Sequence, residues 1–60
     1  MSHIHETAIV SSDATLGEGV SIWHHTVVRE NVKIGDNCVI GGNVYLDEGV
    51  VIGNNVKIQN

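Results

Sequence analysis

Every sixth residue from Ile4 onward is aliphatic: Ile4, Val10, Leu16, Ile22, Val28, Ile34, Ile40, Leu46, Ile52 and Ile58. The series runs without an insertion. Two residues before each stands a small or β-branched residue: Ser2, Ala8, Ala14, Val20, Thr26, Val32, Cys38, Val44, Val50 and Val56. Three residues after the aliphatic position, Gly or Asn recurs at Gly19, Asn31, Asn37, Asn43, Gly49 and Asn55. Strand side chains alternate faces with a period of two, so the aliphatic residue and the small one point the same way. Gly and Asn tolerate the left-handed backbone region best, which marks them as corners. A period of six holds no single face of an α-helix. Each hexad therefore predicts a short strand followed by a tight turn.

Three hexads, with three strands and three corners, close one triangular coil. Coils stacked about 4.8 Å apart pair each strand with the one three hexads later. Residues 4–57 make three coils, and 58–60 begin a fourth. The expectation is an all-β, parallel β-helix and a single domain over 1–60. Its inward columns are Ile4-Ile22-Ile40-Ile58, Val10-Val28-Leu46 and Leu16-Ile34-Ile52. Cys38 falls inward between Val20 and Val56, where it acts as a small hydrophobe.

The same register sorts the outward side chains. The first face carries His3, Ser21, Val39 and Lys57 beside His5, Trp23, Gly41 and Gln59. The second carries Ile9, Val27 and Tyr45 beside Ser11, Arg29 and Asp47. Its apolar column suggests a subunit interface, and Arg29 is placed to pair with Asp47. The third carries Thr15, Lys33 and Val51 beside Gly17, Gly35 and Gly53. Three stacked glycines predict a shallow groove that a backbone or thin ligand approaches closely. At the corners Glu30 stacks on Glu48 and Glu18 on Asp36, an arrangement tolerable where the carboxylates are solvated.

Composition narrows the function classes. A chain of 60 residues supplies a thin core, and such chains usually need disulfides, a metal or oligomerisation. Cys38 is the only cysteine, so no internal disulfide forms. Cys38, His3, His5, His24 and His25 lack zinc-ligand spacing. No metal is expected, and oligomerisation is favoured. The net charge is -4 and the only cations besides histidine are Arg29, Lys33 and Lys57. That disfavours binding to nucleic acid through backbone charge, and no nucleic-acid partner is expected. No apolar stretch is long enough to span a membrane. The expected location is the cytoplasm, with a reduced lone cysteine.

The stretch Trp23-His24-His25 is the one chemically distinctive phrase. Trp23 points outward next to His5. His24 and His25 are corner residues, between Glu6-Thr7 below and Gly42-Asn43 above. His25 stands where most other hexads place Gly or Asn, and His is among the residues somewhat enriched there.

Taken with the hexad register, "IHETAIV", "IWHHTVVREN" and "IGNNVKIQN" resemble the hexapeptide-repeat acyltransferases, and within them the sugar N-acetyltransferases that modify the 3-amino group of nucleotide-linked amino sugars. The resemblance covers essentially the whole chain. It implies a left-handed coil, since periodicity does not set the hand. It implies that 1–60 is the N-terminal part of a longer enzyme, with active sites between subunits of a homotrimer. Acetyl-CoA is the implied co-substrate, its extended arm lying along grooves such as the Gly17-Gly35-Gly53 column. A histidine serves as base in many of these enzymes, which makes His24 and His25 the candidate catalytic residues. Trp23, Lys57, Gln59 and Asn60 are the candidate contacts to the nucleotide sugar. A non-catalytic, self-assembling repeat module is the alternative, because the open ends of a short prism expose strand edges. Regular outward Thr columns, which an ice-binding helix needs, are missing.

Overall fold

The computed structural model describes residues 2–60 and contains ten two-residue strands: β1 (His3–Ile4), β2 (Ile9–Val10), β3 (Thr15–Leu16), β4 (Ser21–Ile22), β5 (Val27–Val28), β6 (Lys33–Ile34), β7 (Val39–Ile40), β8 (Tyr45–Leu46), β9 (Val51–Ile52) and β10 (Lys57–Ile58). They form three parallel sheets in the orders β1-β4-β7-β10, β2-β5-β8 and β3-β6-β9. Every pairing is offset by three hexads, as in Ile4↔Ile22 and Val28↔Leu46. The molecule is a left-handed β-helix of three triangular coils.

The corners explain the hexad. Positive φ angles occur at Gly19, His25, Asn31, Asn37, Asn43, Gly49 and Asn55. His25 thus takes the left-handed conformation its position predicts. Thr7 and Asp13 hold the same place in the first coil without a positive φ. Those turns carry bonds from the Ala8 amide to the His5 carbonyl at 2.9 Å and from the Ala14 amide to the Ser11 carbonyl at 3.0 Å, a closure that the Gly49 corner also makes, from the Val50 amide to the Asp47 carbonyl at 3.3 Å. The change has a consequence one coil up. The amides of Asn37, Asn43, Gly49 and Asn55 donate to corner carbonyls of the coil below, those of Glu18, His24, Glu30 and Asp36. The His25 amide donates to Thr7 Oγ1 at 2.9 Å, and the Asn31 amide to Asp13 Oδ1 at 3.3 Å. Side-chain oxygens replace carbonyls that the altered turns do not present.

The core lies in the second and third coils. Val20, Ile22, Val28, Val32, Ile34, Cys38 and Ile40 are essentially inaccessible. Burying such a side chain contributes about 1.5–3 kcal/mol relative to leaving it exposed. In the first coil Ala8, Val10, Ala14 and Leu16 are only half-buried, and Ile4 is 46% exposed. Ile4 points inward as its column requires, but its column supplies a stacking neighbour on one side only.

Polar groups inside are paired. Thr26 is fully buried and donates its hydroxyl to the Gly41 carbonyl at 2.6 Å. Cys38 Sγ donates to the Gly53 carbonyl at 3.0 Å, and Ser2 Oγ to the Gly17 carbonyl at 3.4 Å. The small inward position thus reaches the carbonyl that follows an aliphatic residue further along the chain.

Candidate functional site

The first corner places an aromatic and histidine cluster. Trp23 is outward and 51% exposed. The His24 ring leans across the coil step toward Gly42, because that glycine leaves room. A Cβ on Gly42 would meet the His24 ring at 2.5 Å from Cε1 and 2.6 Å from Nε2. The His24 ring is edge-on to His5 at 6.1 Å between centroids and edge-on to His25 at 5.7 Å. Among the described residues neither ring nitrogen of His24 has a hydrogen-bond partner. Packing therefore orients this ring while both nitrogens remain available to an incoming group.

His5 is held differently. The Thr7 amide donates to His5 Nδ1 at 3.2 Å, and Thr7 Oγ1 lies 2.9 Å from the same atom. An amide only donates, so Nδ1 carries the lone pair and neutral His5 carries its proton on Nε2. A metal at Nε2 would require the opposite tautomer. The arrangement therefore opposes metal ligation by His5, and no group of three or more potential ligands is found among the described residues.

The glycine column is not a continuous groove. Asp36 Oδ1 occupies the space beside Gly17, and Asn54 Oδ1 that beside Gly35. These oxygens accept the amides of Glu18 at 2.9 Å and Asp36 at 2.8 Å. The Glu18-Asp36 stack expected from the sequence is thus bridged by a backbone donor. A Cβ on Gly53 would meet nothing within 4 Å, so only the last glycine stays open. The column assignment did not reveal this ladder. Its signal lay in the short polar residue one place past the second and third glycines, Asp36 after Gly35 and Asn54 after Gly53.

The predicted site residues fall into two groups. Trp23 and Gln59 share an outward column of the first face, with Gly41 between them, and Lys57 stands in the neighbouring column. His24 and His25 form the corner at one edge of that face, and Asn60 lies past Gln59. Gly17, Gly35 and Gly53 lie at the end of the third face, at its opposite edge. One chain therefore does not bring the histidine corner and the glycine column together.

On the second face, Arg29 Nε donates to Glu30 Oε1 at 2.9 Å and Nη1 donates to the Tyr45 hydroxyl. Asp47 stands at 4.0 Å. The expected Arg29–Asp47 pair is thus the weakest of three contacts, because the Glu30 carboxylate is adjacent in sequence and reaches the guanidinium directly. The Tyr45 hydroxyl and the Glu30 carboxylate hold the guanidinium pKa well above its ordinary value. Ile9 and Tyr45 are 65% and 57% exposed, so the apolar column is available to a partner surface.

Among the described residues no helix is long and apolar enough to cross a membrane. Residues 31–60 match the family model for the bacterial transferase hexapeptide, six repeats. No curated protein matches the chain.

Proposed function

Because the chain belongs to the bacterial transferase hexapeptide family, we propose that it forms part of an acetyl-CoA-dependent N-acetyltransferase acting on a nucleotide-linked amino sugar, working in the cytoplasm as a homotrimer. The observation that carries this reading is the His24 corner: an oriented imidazole with free ring nitrogens, beside an exposed tryptophan, on a coil of a transferase family.

In the reaction the free sugar amine attacks the thioester carbonyl of acetyl-CoA. A C–N bond forms and the carbonyl π electrons move to oxygen. The tetrahedral intermediate collapses, the C–S bond breaks, and the thiolate of coenzyme A leaves. The amine proton passes to His24 or His25, or to water, and the thiolate takes up a proton. An amine with a pKa near the working pH needs little basic assistance, so His24 serves mainly to receive the proton and orient the nucleophile. The acyl carrier is placed along the third face at Gly53, with Gly17 and Gly35 below it, and the nucleotide sugar against Trp23, Lys57, Gln59 and Asn60. Since the two edges are separate on one chain, the site needs a second subunit to bring a glycine edge to a histidine corner.

The chain of 60 residues alone is expected to show no acetyl transfer, and a longer chain containing these coils is expected to show it. Turnover of acetyl-CoA with an amino-sugar nucleotide, followed by thiol release, tests both. Activity of the short chain would show that these three coils suffice for the site, and an inactive longer chain would overturn the acetyltransferase reading. A non-catalytic assembly module is the second reading. It draws on the exposed apolar residues Ile9, Tyr45 and Val51.

A further inference from the structure

Among the described residues, the left-handed corners other than His25 are Gly19, Asn31, Asn37, Asn43, Gly49 and Asn55. Asn and Gly thus make this turn everywhere else, and the turn asks for nothing that Asn does not supply. The imidazole at position 25 is therefore explained by what its ring touches. It meets the His24 ring with 5.7 Å between centroids and an interplanar angle of 87°. A second ring, His5, meets His24 at 6.1 Å and 73°. Edge-on contacts at such separations are attractive and directional.

Backbone bonds hold the frame for these contacts. The His24 carbonyl accepts the Asn43 amide at 3.0 Å, and the His25 amide donates to Thr7 Oγ1 at 2.9 Å. The Thr7 amide also holds the His5 ring, at Nδ1. Both rings that meet His24 are thus tied to Thr7, His5 by its side chain and His25 by its backbone. Place in the coil separates the two corner histidines. His24 follows Trp23 directly and borders the first face, where Lys57 and Gln59 also stand. His25 lies one residue further round, toward the second face.

We propose that the two histidines have different roles: His24 alone meets the reacting amine, and His25 is a positioning residue that holds the His24 ring through the edge-on contact. The division rests on the acetyltransferase reading for its chemistry, while the ring contact behind it is tested without catalysis. With the His25 ring in place, the His24 ring leans over Gly42 and keeps both nitrogens free of partners among the described residues. Without that ring, His24 loses one of its two aromatic neighbours and turns more freely about its side-chain bonds. A proton acceptor that samples several orientations is present as before but is less often aligned with the amine.

His25→Asn tests this, because Asn already forms the same corner at Asn31, Asn37, Asn43 and Asn55. In the chain of 60 residues its unfolding midpoint is expected to be no lower than the parent's. Nuclear Overhauser contacts from the His24 ring to Gly42 are expected to weaken. In the longer chain, with acetyl-CoA and an amino-sugar nucleotide, kcat is expected to fall about tenfold while KM stays within about twofold, the pattern of a misaligned group rather than lost binding. Added imidazole is expected to restore part of the activity of His24→Ala, by supplying the missing proton acceptor. It is expected to do nothing for His25→Asn, which still has its acceptor. Unchanged His24 ring contacts, an unchanged kcat, rescue of His25→Asn by imidazole, or none of His24→Ala would overturn the division. A lowered midpoint in His25→Asn would also overturn it, by assigning the imidazole to the fold. If the parent longer chain transfers no acetyl group, the acetyltransferase reading falls, and the Overhauser contacts alone decide whether His25 positions His24.

Discussion

At the residue scale, what is missing from a side chain matters as much as what is present. Gly42 has no positive φ requirement; its value is the space it leaves for the His24 ring. Gly42→Ala forces an exposed, mobile-ended side chain to move rather than the backbone. Stability is expected to stay within about 1 kcal/mol of the parent. The contact between the His24 ring and residue 42 is expected to vanish in nuclear Overhauser spectra; an unchanged ring position would contradict the packing account. Asp13 illustrates a charge effect at an exposed corner. The Ser11 hydroxyl, donating at 2.7 Å, and then the Asn31 amide hold its carboxyl below the usual carboxylate range. A folded pKa below the unfolded one contributes stability that is present above the unfolded value and lost as pH falls through the folded one. Asp13→Asn keeps an oxygen acceptor and removes the titration. Its unfolding midpoint is expected to depend less on pH across the acid range than that of the parent. A parallel acid limb in both proteins would rule out this contribution.

At the element scale, strands of two residues have little stability of their own, and the ladder between coils carries them. The third corner shows how. Asp36 and Asn54 reach down over the glycine of the coil below and accept the next amide. A methyl group at Gly35 would lie 2.8 Å from the backbone carbonyl of Gly53, where nothing flexible can yield. Gly35→Ala is expected to cost about 1–3 kcal/mol, the usual range for forced overpacking. Gly53→Ala meets open space and is expected to change stability by less than about 0.5 kcal/mol. Chemical unfolding of the two variants separates these cases. Equal losses would contradict the close approach of the coil above at Gly35. The strand of each hexad and its register were readable from the sequence, since an aliphatic residue at every sixth place leaves no other way to bury one side. The bonding of the corners was not readable, because Thr7 and Asp13 occupy corner positions yet act through side-chain oxygens.

At the scale of the whole molecule, the three coils make a prism with exposed apolar residues on its second face and a half-closed first coil. Ile9 at 65% and Tyr45 at 57% exposure lie in one column with half-buried Val27. Such a stripe is suited to a subunit interface. Sedimentation is expected to give a trimer, and Ile9→Lys to shift it toward monomer, since a charge in the column is desolvated on association. A monodisperse monomer for the parent would contradict the interface. The same separation of histidine corner from glycine edge that leaves one chain incomplete makes this assembly the condition for the proposed chemistry.

The sequence by itself determined the coil. Its period sets strand length, inward columns, corner positions and the three-hexad register, because burial and turn conformation are decided locally and repeat without interruption. It also placed Trp23 outward and His24 and His25 at a corner. Only the tertiary structure decided what those groups do to one another. The tautomer of His5 depends on Thr7, the orientation of His24 on a glycine one coil above, and the filling of the glycine column on Asp36 and Asn54. Most of these are contacts between coils, and all turn on side-chain direction and hydrogen-bond geometry, which a column assignment does not contain.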